Sequence, residues 1–364
     1  MRTVGAIASE LTFTEPAFGG LQWRPMICAA GCQTAKLCVT PWRNKHFLSS
    51  ATIHRVGLRE HDNSPVRVIR DILWTILLVN YEIFCAIFRC FVPAEPKDVS
   101  GEVVLITGTG HGMGREMALR FGRLGAKVVC VDINPEGNEQ TYKMILAEKG
   151  KVFKYVCDVA DRAAVMQLAE KVRREVGEVD ILVNNAGIMP CKPVLQQTEK
   201  EIRLMMDINV NGNLWFIQAF LPSMIERNHG HIVAISSMAG LMGTRNLVPY
   251  CGSKYAVRGI MEALAVELRA EPTDTSGIHF TTVCPSIVNT GLCHKPRIRF
   301  KKALKIVEPG EAADIIVDSV LRNVLEISIP TRLHNAIRYL YRMIPISAAF
   351  ALNDLADSGA DAHD

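Results

Sequence analysis

From residue 101 onward, short apolar runs of strand length alternate with longer stretches that keep one apolar face. The runs are VVLIT (103–107), KVVCVD (127–132), KVFKYVC (151–157), DILVNN (180–185), HIVAIS (231–236) and HFTTVC (279–284), with a shorter EISIP at 326–330. Their β-branched content and length predict strands, and each gap is filled by a segment long enough for a helix. Parallel strands need crossover connections, and those crossovers are right-handed. The alternation therefore predicts an α/β fold over residues 100–330, a doubly wound parallel sheet with helices on both faces.

The flanking regions read differently. Residues 1–65 keep no sustained period and carry scattered Pro and Gly, which predicts a poorly ordered extension. No basic start runs directly into an apolar core there, so no conventional signal peptide is expected. Residues 66–95 hold ILWTILLV and IFCAIF, an apolar stretch long enough to cross a bilayer, interrupted by Asn80, Glu82 and Arg89. A carboxylate near the middle of a spanning helix costs about 2.5–3.5 kcal/mol, which favours a monotopic or hairpin anchor flanked by Arg67 and Arg70. The competing reading is an amphipathic helix packed on the domain's own surface. Residues 331–364 read as an amphipathic helix, IRYLYRMIPISAAFAL (337–352), and a tail; the helix either rests on a membrane or packs on the core.

Composition narrows the function classes. The chain of 364 residues is 49% hydrophobic and 21% charged, which excludes a disordered protein. Its net charge of +4 is dispersed, so no nucleic-acid partner is expected. The eleven cysteines have neither zinc-ligand nor disulfide-framework spacing. Cys130, Cys157 and Cys284 end or nearly end apolar runs, where a reduced thiol acts as a small buried hydrophobe and suits a reducing compartment.

The first strand runs into Thr107-Gly108-Thr109-Gly110-His111-Gly112-Met113-Gly114 and then a helical pattern. Glycines there let backbone N–H groups approach a pyrophosphate, held by the positive end of the helix. The GxGxxG spelling fails, because Met113 stands where its third glycine belongs; the spacing that fits is Gly108-xxx-Gly112-x-Gly114. Asp132 closes the second strand, where a carboxylate accepts both ribose hydroxyls of an adenosine and repels a 2′-phosphate. His111 is no strong fixed cation and neither Arg nor Lys follows Asp132, so NAD is favoured over NADP. Alternatively, Asp132 merely caps the next helix at Asn134-Pro135. Asp158, after the third strand, is placed to accept a hydrogen bond from an adenine amino group.

Tyr250-Cys251-Gly252-Ser253-Lys254 sets a Tyr and a Lys at i and i+4, on one helix face. A free phenol titrates near pH 10, too high for a base at neutral pH, and an adjacent ammonium stabilises the phenolate. Ser237 stands at the C-terminal edge of the fifth strand, where ligands sit in an open parallel sheet, and is placed to hydrogen-bond a substrate oxygen. Ser236 is the alternative, although strand alternation points it the other way.

In order, TGxxxGxG (Thr107 to Gly114), NNAG (Asn184 to Gly187), the Asn of DINV (Asn209), Ser237 and YxxxK resemble the short-chain dehydrogenase/reductase family over about Gly101 to Pro330. The resemblance implies that Tyr250 is the acid/base, that Lys254 lowers its pKa and binds the nicotinamide ribose, and that Ser237 positions the substrate oxygen. It further implies that Asn209 holds a water relaying protons to Lys254, and that Asn185 lines the cofactor with His111, Met113 and Val159. Backbone near Ile287 or Val288 and the Thr290 hydroxyl are implied to meet the carboxamide. Ser286 stands where the family often has Gly. A homodimer through the helices carrying Asn209 and Tyr250 is implied as well.

The anchor followed by FVPAEPKDVSGEVVLITG, the VDIN after the second strand, and AFLPSMIERNHGHIV resemble a narrower group, the membrane-associated epidermal-type retinol dehydrogenases and lipid-droplet hydroxysteroid dehydrogenases. That resemblance implies NAD-dependent interconversion of a lipophilic alcohol (retinol, steroid or fatty alcohol) and its carbonyl, with the catalytic domain on the cytosolic face of endoplasmic reticulum or a lipid droplet. Six Lys and Arg between Lys295 and Lys305 read either as a contact with an anionic membrane or as a solvated face. Two rival functions stand beside this one: an NADPH-dependent carbonyl reductase, which Asp132 disfavours, and a non-catalytic dinucleotide-binding protein, which Asn209, Ser237, Tyr250 and Lys254 disfavour.

Overall fold

The computed structural model describes residues 64–362 except 90, 294, 301–304, 331–335, 338, 342 and 358. All but the last two residues of the expected N-terminal extension, and part of the 295–305 basic run, lie outside them. Helix α1, Pro65–Arg89, starts on a proline whose fixed φ suits a first helical position. Among the described residues it is the one helix long and apolar enough to cross a membrane. It buries no face: Cys85 is its one buried residue, while Ile69, Leu73, Trp74, Leu77, Ile83 and Phe84 all stand exposed. An amphipathic helix packed on the domain would hide such a stripe, so α1 is not one.

The body of the fold is a sheet of β1 (Val103–Thr107), β2 (Lys127–Asp132), β3 (Lys151–Val156), β4 (Ile181–Asn184), β5 (Gly230–Ile235), β6 (Ile278–Pro285) and β8 (Glu326–Ile329). The strands run in the order β3-β2-β1-β4-β5-β6-β8, and every pairing is parallel. Crossovers come from α2 (Gly112–Arg123), α3 (Pro135–Ala147), α4 (Arg162–Glu175), α5 (Glu199–Met206), α6 (Gly212–Arg227), α7 (Val248–Ala270) and α8 (Pro309–Leu321). Side chains alternate between the sheet's faces. Val104, Ile106 and Val128 pack under Met117 and Phe121 of α2, Ile145 of α3 and Ile316 of α8. Leu105, Val129 and Leu182 pack under Leu168 of α4, Phe216 and Phe220 of α6 and Met261 of α7. Each large apolar side chain buried this way contributes about 1.5–3 kcal/mol. Because β1 lies between β2 and β4, the winding reverses there and opens a crevice at the strands' C-terminal ends.

The expected helix at 337–352 is broken at Pro345, which caps the start of α9, Ile346–Ala356. A two-residue strand β9, Gly359–Ala360, then pairs antiparallel with β7, Pro296–Arg297.

Between α1 and β1 the chain is tied to the sheet. Lys97 Nζ lies 3.0 Å from His231 Nδ1, His231 Nε2 lies 2.9 Å from Thr281 Oγ1, and that hydroxyl donates to the Val324 carbonyl at 2.7 Å. Thr281 having committed its proton to Val324, the imidazole carries its own on Nε2. Burial pushes His231 well below the usual imidazole range, helped by the charge of Lys97, and lowers His279 too. Unfolded, these imidazoles titrate near pH 6.5. At His231, above that pH neither state takes up a proton; below it only the unfolded chain does, so stability is lost as pH falls. We expect the denaturant midpoint to drop from pH 7 to pH 5.5, the proton excluded at His231 costing about 1.4 kcal/mol per pH unit below about 6.5. His231→Gln should flatten that slope in chemical unfolding; an unchanged slope would remove His231 as its source.

Candidate active site

The turn after β1 is built for a close approach. Gly108 and Gly112 hold positive φ (+73° and +57°), which L side chains rarely adopt. A Cβ at Gly114 would sit 2.0 Å from the Gly108 carbonyl oxygen, and one at Gly110 would sit 2.9 Å from Asp132 Oδ2. His111 opens α2 in extended backbone without a side-chain cap, and no acidic residue enters the first turn. The first amides of α2 thus lack a side-chain acceptor, as an anion-binding helix start requires. These features fit a dinucleotide pyrophosphate.

Asp132 is buried, its Oδ2 accepting the Gly110 N–H at 2.7 Å and its Oδ1 the Asn134 N–H at 2.8 Å. It does not cap α3: Asn134 does, accepting from Glu136 and Gly137, with Pro135 behind it. The carboxylate therefore braces the glycine turn and keeps lone pairs for further donors. Arg115 is engaged by Gly110, Gly137, Thr141 and Gln140. Asp158 Oδ1 accepts the Ala160 N–H at 2.9 Å, and Val159 is buried against Gly212. Asn185 ties the end of β4 to the turn, its Nδ2 donating to the Thr107 and Gly108 carbonyls at 2.8 and 3.2 Å. Thr107 completes the joint by accepting both the Asn185 and Ala186 N–H groups on its hydroxyl at 3.0 Å.

Across the crevice, α7 turns Tyr250 and Lys254 inward, both buried. Lys254 Nζ donates to the Ile235 carbonyl at 2.9 Å and lies 5.6 Å from the centroid of the Tyr250 ring. Burial pushes this ammonium down to about 8. Burial also drives the Tyr250 phenol well above its ordinary value, while a hydrogen bond with Ser237 pulls it back. Burial thus shifts both groups in the direction of their neutral forms, though Lys254 stays mostly charged at pH 7, and the phenol lies higher than the Tyr–Lys spacing by itself predicts. Ser237 Oγ accepts the Ala239 N–H at 3.1 Å and reaches the Pro285 carbonyl at 3.4 Å. Ser236 points away, donating to the Lys254 carbonyl at 2.8 Å, as strand alternation predicts. Asn209 sits in a π-helical turn, Asp207–Asn211, of the sort that recurs at functional sites. Its Oδ1 accepts the Ile188 N–H at 2.9 Å, while Nδ2 donates to the Ile188 carbonyl at 3.0 Å and to Ser253 Oγ at 3.1 Å.

Ser237, Tyr250 and Lys254 stand at the edge of a cavity of about 410 Å³ that is otherwise mainly apolar. Met113, Asn185, Ile287, Val288 and Thr290 line it as well, and Thr290 packs against Gly112, joining the loop after β6 to the glycine turn. Gly108, His111, Gly112, Gly114, Asp132, Asp158, Val159 and Asn209 are not among its lining residues; all but Asn209 belong to the turn and strand ends beside it. Sequence reasoning missed Thr107, Ser253 and the C-terminal wall of Leu340, Tyr341, Leu352 and Leu355. The first two lie inside motifs already singled out, whereas the wall lies in and just after the 337–352 stretch, whose apolar period marks a face but not the cavity it lines.

Residues 102–298 match the family described as short chain dehydrogenase. Epidermal retinol dehydrogenase 2 from Homo sapiens is 39% identical over 270 residues, 74% of this chain and 86% of that one. 17-beta-hydroxysteroid dehydrogenase 13 from Homo sapiens is 35% identical over 288 residues, 79% and 94% of the two chains. A short chain dehydrogenase/reductase from Burkholderia phymatum, solved in complex with NAD, is 25% identical with a TM-score of 0.59 over 68% of this chain and 93% of its own. A metagenomic short-chain oxidoreductase in complex with NADP is 27% identical with a TM-score of 0.55 over 64% and 98%. A parallel seven-stranded sheet with its glycine turn at the winding reversal is the dinucleotide-binding class of fold, and within that class the chain belongs to the short-chain dehydrogenase/reductase family. It is an oxidoreductase of the kind that acts on CH–OH groups.

Proposed function

We propose that this protein interconverts a lipophilic primary or secondary alcohol and its carbonyl, using NAD. The observation carrying the reading is the placement of Ser237, Tyr250 and Lys254 together on a cavity whose remaining lining is mainly apolar. A volume of about 410 Å³ lies in the range of roughly 300–1,000 Å³ that holds one small molecule. The names of the relatives, a retinol dehydrogenase and a hydroxysteroid dehydrogenase, support a hydrophobic alcohol.

Bound NAD supplies the hydride acceptor. Gly108, Gly112 and Gly114, with the start of α2, would hold its pyrophosphate; Asp132 its adenosine ribose; Asp158 and Val159 its adenine; Ile287, Val288 and Thr290 its carboxamide. Ser237 donates a hydrogen bond to the substrate oxygen, and Tyr250 exchanges a proton with that same oxygen. With its pKa at about 8, Lys254 keeps most of its charge at pH 7 and stabilises the phenolate one helical turn away. Asn209 is a positioning residue: it clamps Ile188 and holds Ser253 at the base of Lys254's helix, leaving one Oδ1 lone pair for a water. The exposed apolar helix α1 supports attachment to a membrane, and the expected location is the endoplasmic reticulum or a lipid droplet.

The test is NADH production by the full-length, detergent-solubilised protein with retinol, steroid and long-chain alcohols, each offered with NAD and with NADP. Turnover of one class with NAD supports the reading; no turnover despite NAD binding would end it. The NADP-bound neighbour gives a second reading, an NADPH-dependent carbonyl reductase, its own observation. Asp132 separates the two. Pairing Asp132→Ala with Ile133→Arg should shift the NADP:NAD ratio of kcat/KM by at least about tenfold, the effect of one charge-assisted hydrogen bond of roughly 1.5 kcal/mol. An unchanged ratio would remove Asp132 as the discriminator.

A further inference from the structure

One wall of the cavity comes neither from the sheet nor from its crossovers. Tyr341, Leu352, Leu355 and Ala356 line it from beyond β8, outside the 102–298 stretch that matches the family. Neither main core cluster includes these residues. Polar ties hold them in place. Asn353 Nδ2 donates to the Gly243 carbonyl at 3.0 Å, and Asn246 Nδ2 donates to the Ala360 carbonyl at 3.1 Å. Arg297 pairs with Asp357 at 2.9 Å and reaches Asp361 at 3.8 Å, beside the β7–β9 pairing. The Tyr341 hydroxyl donates to Asn353 Oδ1 at 2.6 Å, which locks the ring against the segment that carries Leu352. These ties run to the loops after β5 and β6, the loops that also position Ser237 and Thr290, and the Cys191 thiol in the loop after β4 adds a contact with the Asp361 carbonyl at 3.5 Å.

We propose that Tyr341 and Leu352 are specificity-determining residues that set how long an alcohol the cavity accepts. The inference rests on the lipophilic-alcohol reading above and deepens it. A substrate with a single hydroxyl has one group that Ser237 and Tyr250 can hydrogen-bond, and burying that hydroxyl against the apolar remainder would leave it unpaired. Its polar end is therefore fixed at Ser237 and Tyr250, and its apolar body extends over the rest of the lining. Tyr341 and Leu352 are half-buried and held by the ties above, so their bulk bounds the space open to that body. Changing one apolar side chain in a pocket shifts discrimination between homologous substrates by about 10–200-fold.

The experiment compares wild type, Leu352→Ala, Leu352→Trp and Tyr341→Phe as full-length proteins. The probes are linear primary alcohols of increasing chain length. Both kcat/KM with NAD and the equilibrium Kd for each alcohol are measured. Leu352→Ala should move the preferred length upward and Leu352→Trp downward, changing the long-to-short ratio by about tenfold in opposite directions, with the shortest alcohol little affected. Tyr341→Phe, which keeps the ring and loses its bond to Asn353, should broaden the length profile. A uniform loss across all lengths, or the same profile in Leu352→Ala and Leu352→Trp, overturns the proposal. If wild type binds the series without turning it over, linear alcohols are not its substrates while the Kd profile still decides the length filter. Wild type binding none of them overturns the length filter, and the retinol and steroid assays above then decide the alcohol-oxidation reading on their own. Thermal unfolding of each variant, with Leu352→Met as a volume-conserving control, separates a misfolded wall from a reshaped one.

Discussion

Replacing Tyr250 by Phe is expected to lower alcohol turnover by a factor of about 10³, close to 4 kcal/mol of transition-state stabilisation, within the range that a positioned general acid–base group supplies. The substitution removes one oxygen from a buried side chain and leaves its packing. Ser237 keeps its contacts with the Ala239 N–H and the Pro285 carbonyl, so the end of β5 is not released. Lys254 keeps its bond to the Ile235 carbonyl, so its ammonium stays in place without a phenolate to stabilise. Cofactor affinity by calorimetry and the thermal midpoint should both remain near wild type. Turnover retained within tenfold would take the acid–base role away from Tyr250. A matching loss of cofactor binding would instead make Tyr250 structural.

Gly114→Ala is expected to abolish dinucleotide binding and to destabilise the fold together. The new Cβ would stand 2.0 Å from the Gly108 carbonyl oxygen and 2.7 Å from Asn185 Nδ2. Both neighbours are fixed: Gly108 by its N–H bond to the Val131 carbonyl, and Asn185 by Thr107. The turn must open, which takes the backbone away from a pyrophosphate and breaks the joint between β1 and β4. Overpacking of this kind costs about 1–3 kcal/mol and occasionally more. Gly259→Ala is the control, since a Cβ there meets nothing within 4 Å and lies inside α7. It should stabilise the protein by about 0.5–1 kcal/mol, the usual gain from Gly to Ala in a helix. Urea midpoints and NAD titrations of the two variants read both effects, and equal behaviour of the two would refute the steric account.

Much of the sheet was legible because a strand buried on both faces must be apolar nearly throughout. VVLIT and KVVCVD announce β1 and β2 at their observed bounds. Strand ends elsewhere moved by a residue, as where β4 stops at Asn184, whose side chain turns to the Asn213 carbonyl. The glycine turn was legible because so few residues tolerate its backbone. The work of Asp132 was half-legible: its place at a strand end is written in sequence, but its double hold on Gly110 and Asn134 depends on how two loops meet. For Asn209, no spacing encodes the π turn that aims the side chain at Ile188.

By itself the sequence determined the winding of the sheet, the phosphate turn and the Tyr–Lys pair, because each follows from local rules: strand and helix period, φ sign, and i to i+4 neighbours on one helix face. Tertiary structure alone decided the state and surroundings of those groups. Burial, which depends on everything packed around a side chain, lowers Lys254 to about 8 and raises Tyr250. The wall carrying Tyr341 and Leu352 comes from a segment far along the chain from Ser237 and Tyr250, and only the folded chain sets it on their cavity, through Asn246, Arg297 and Asn353.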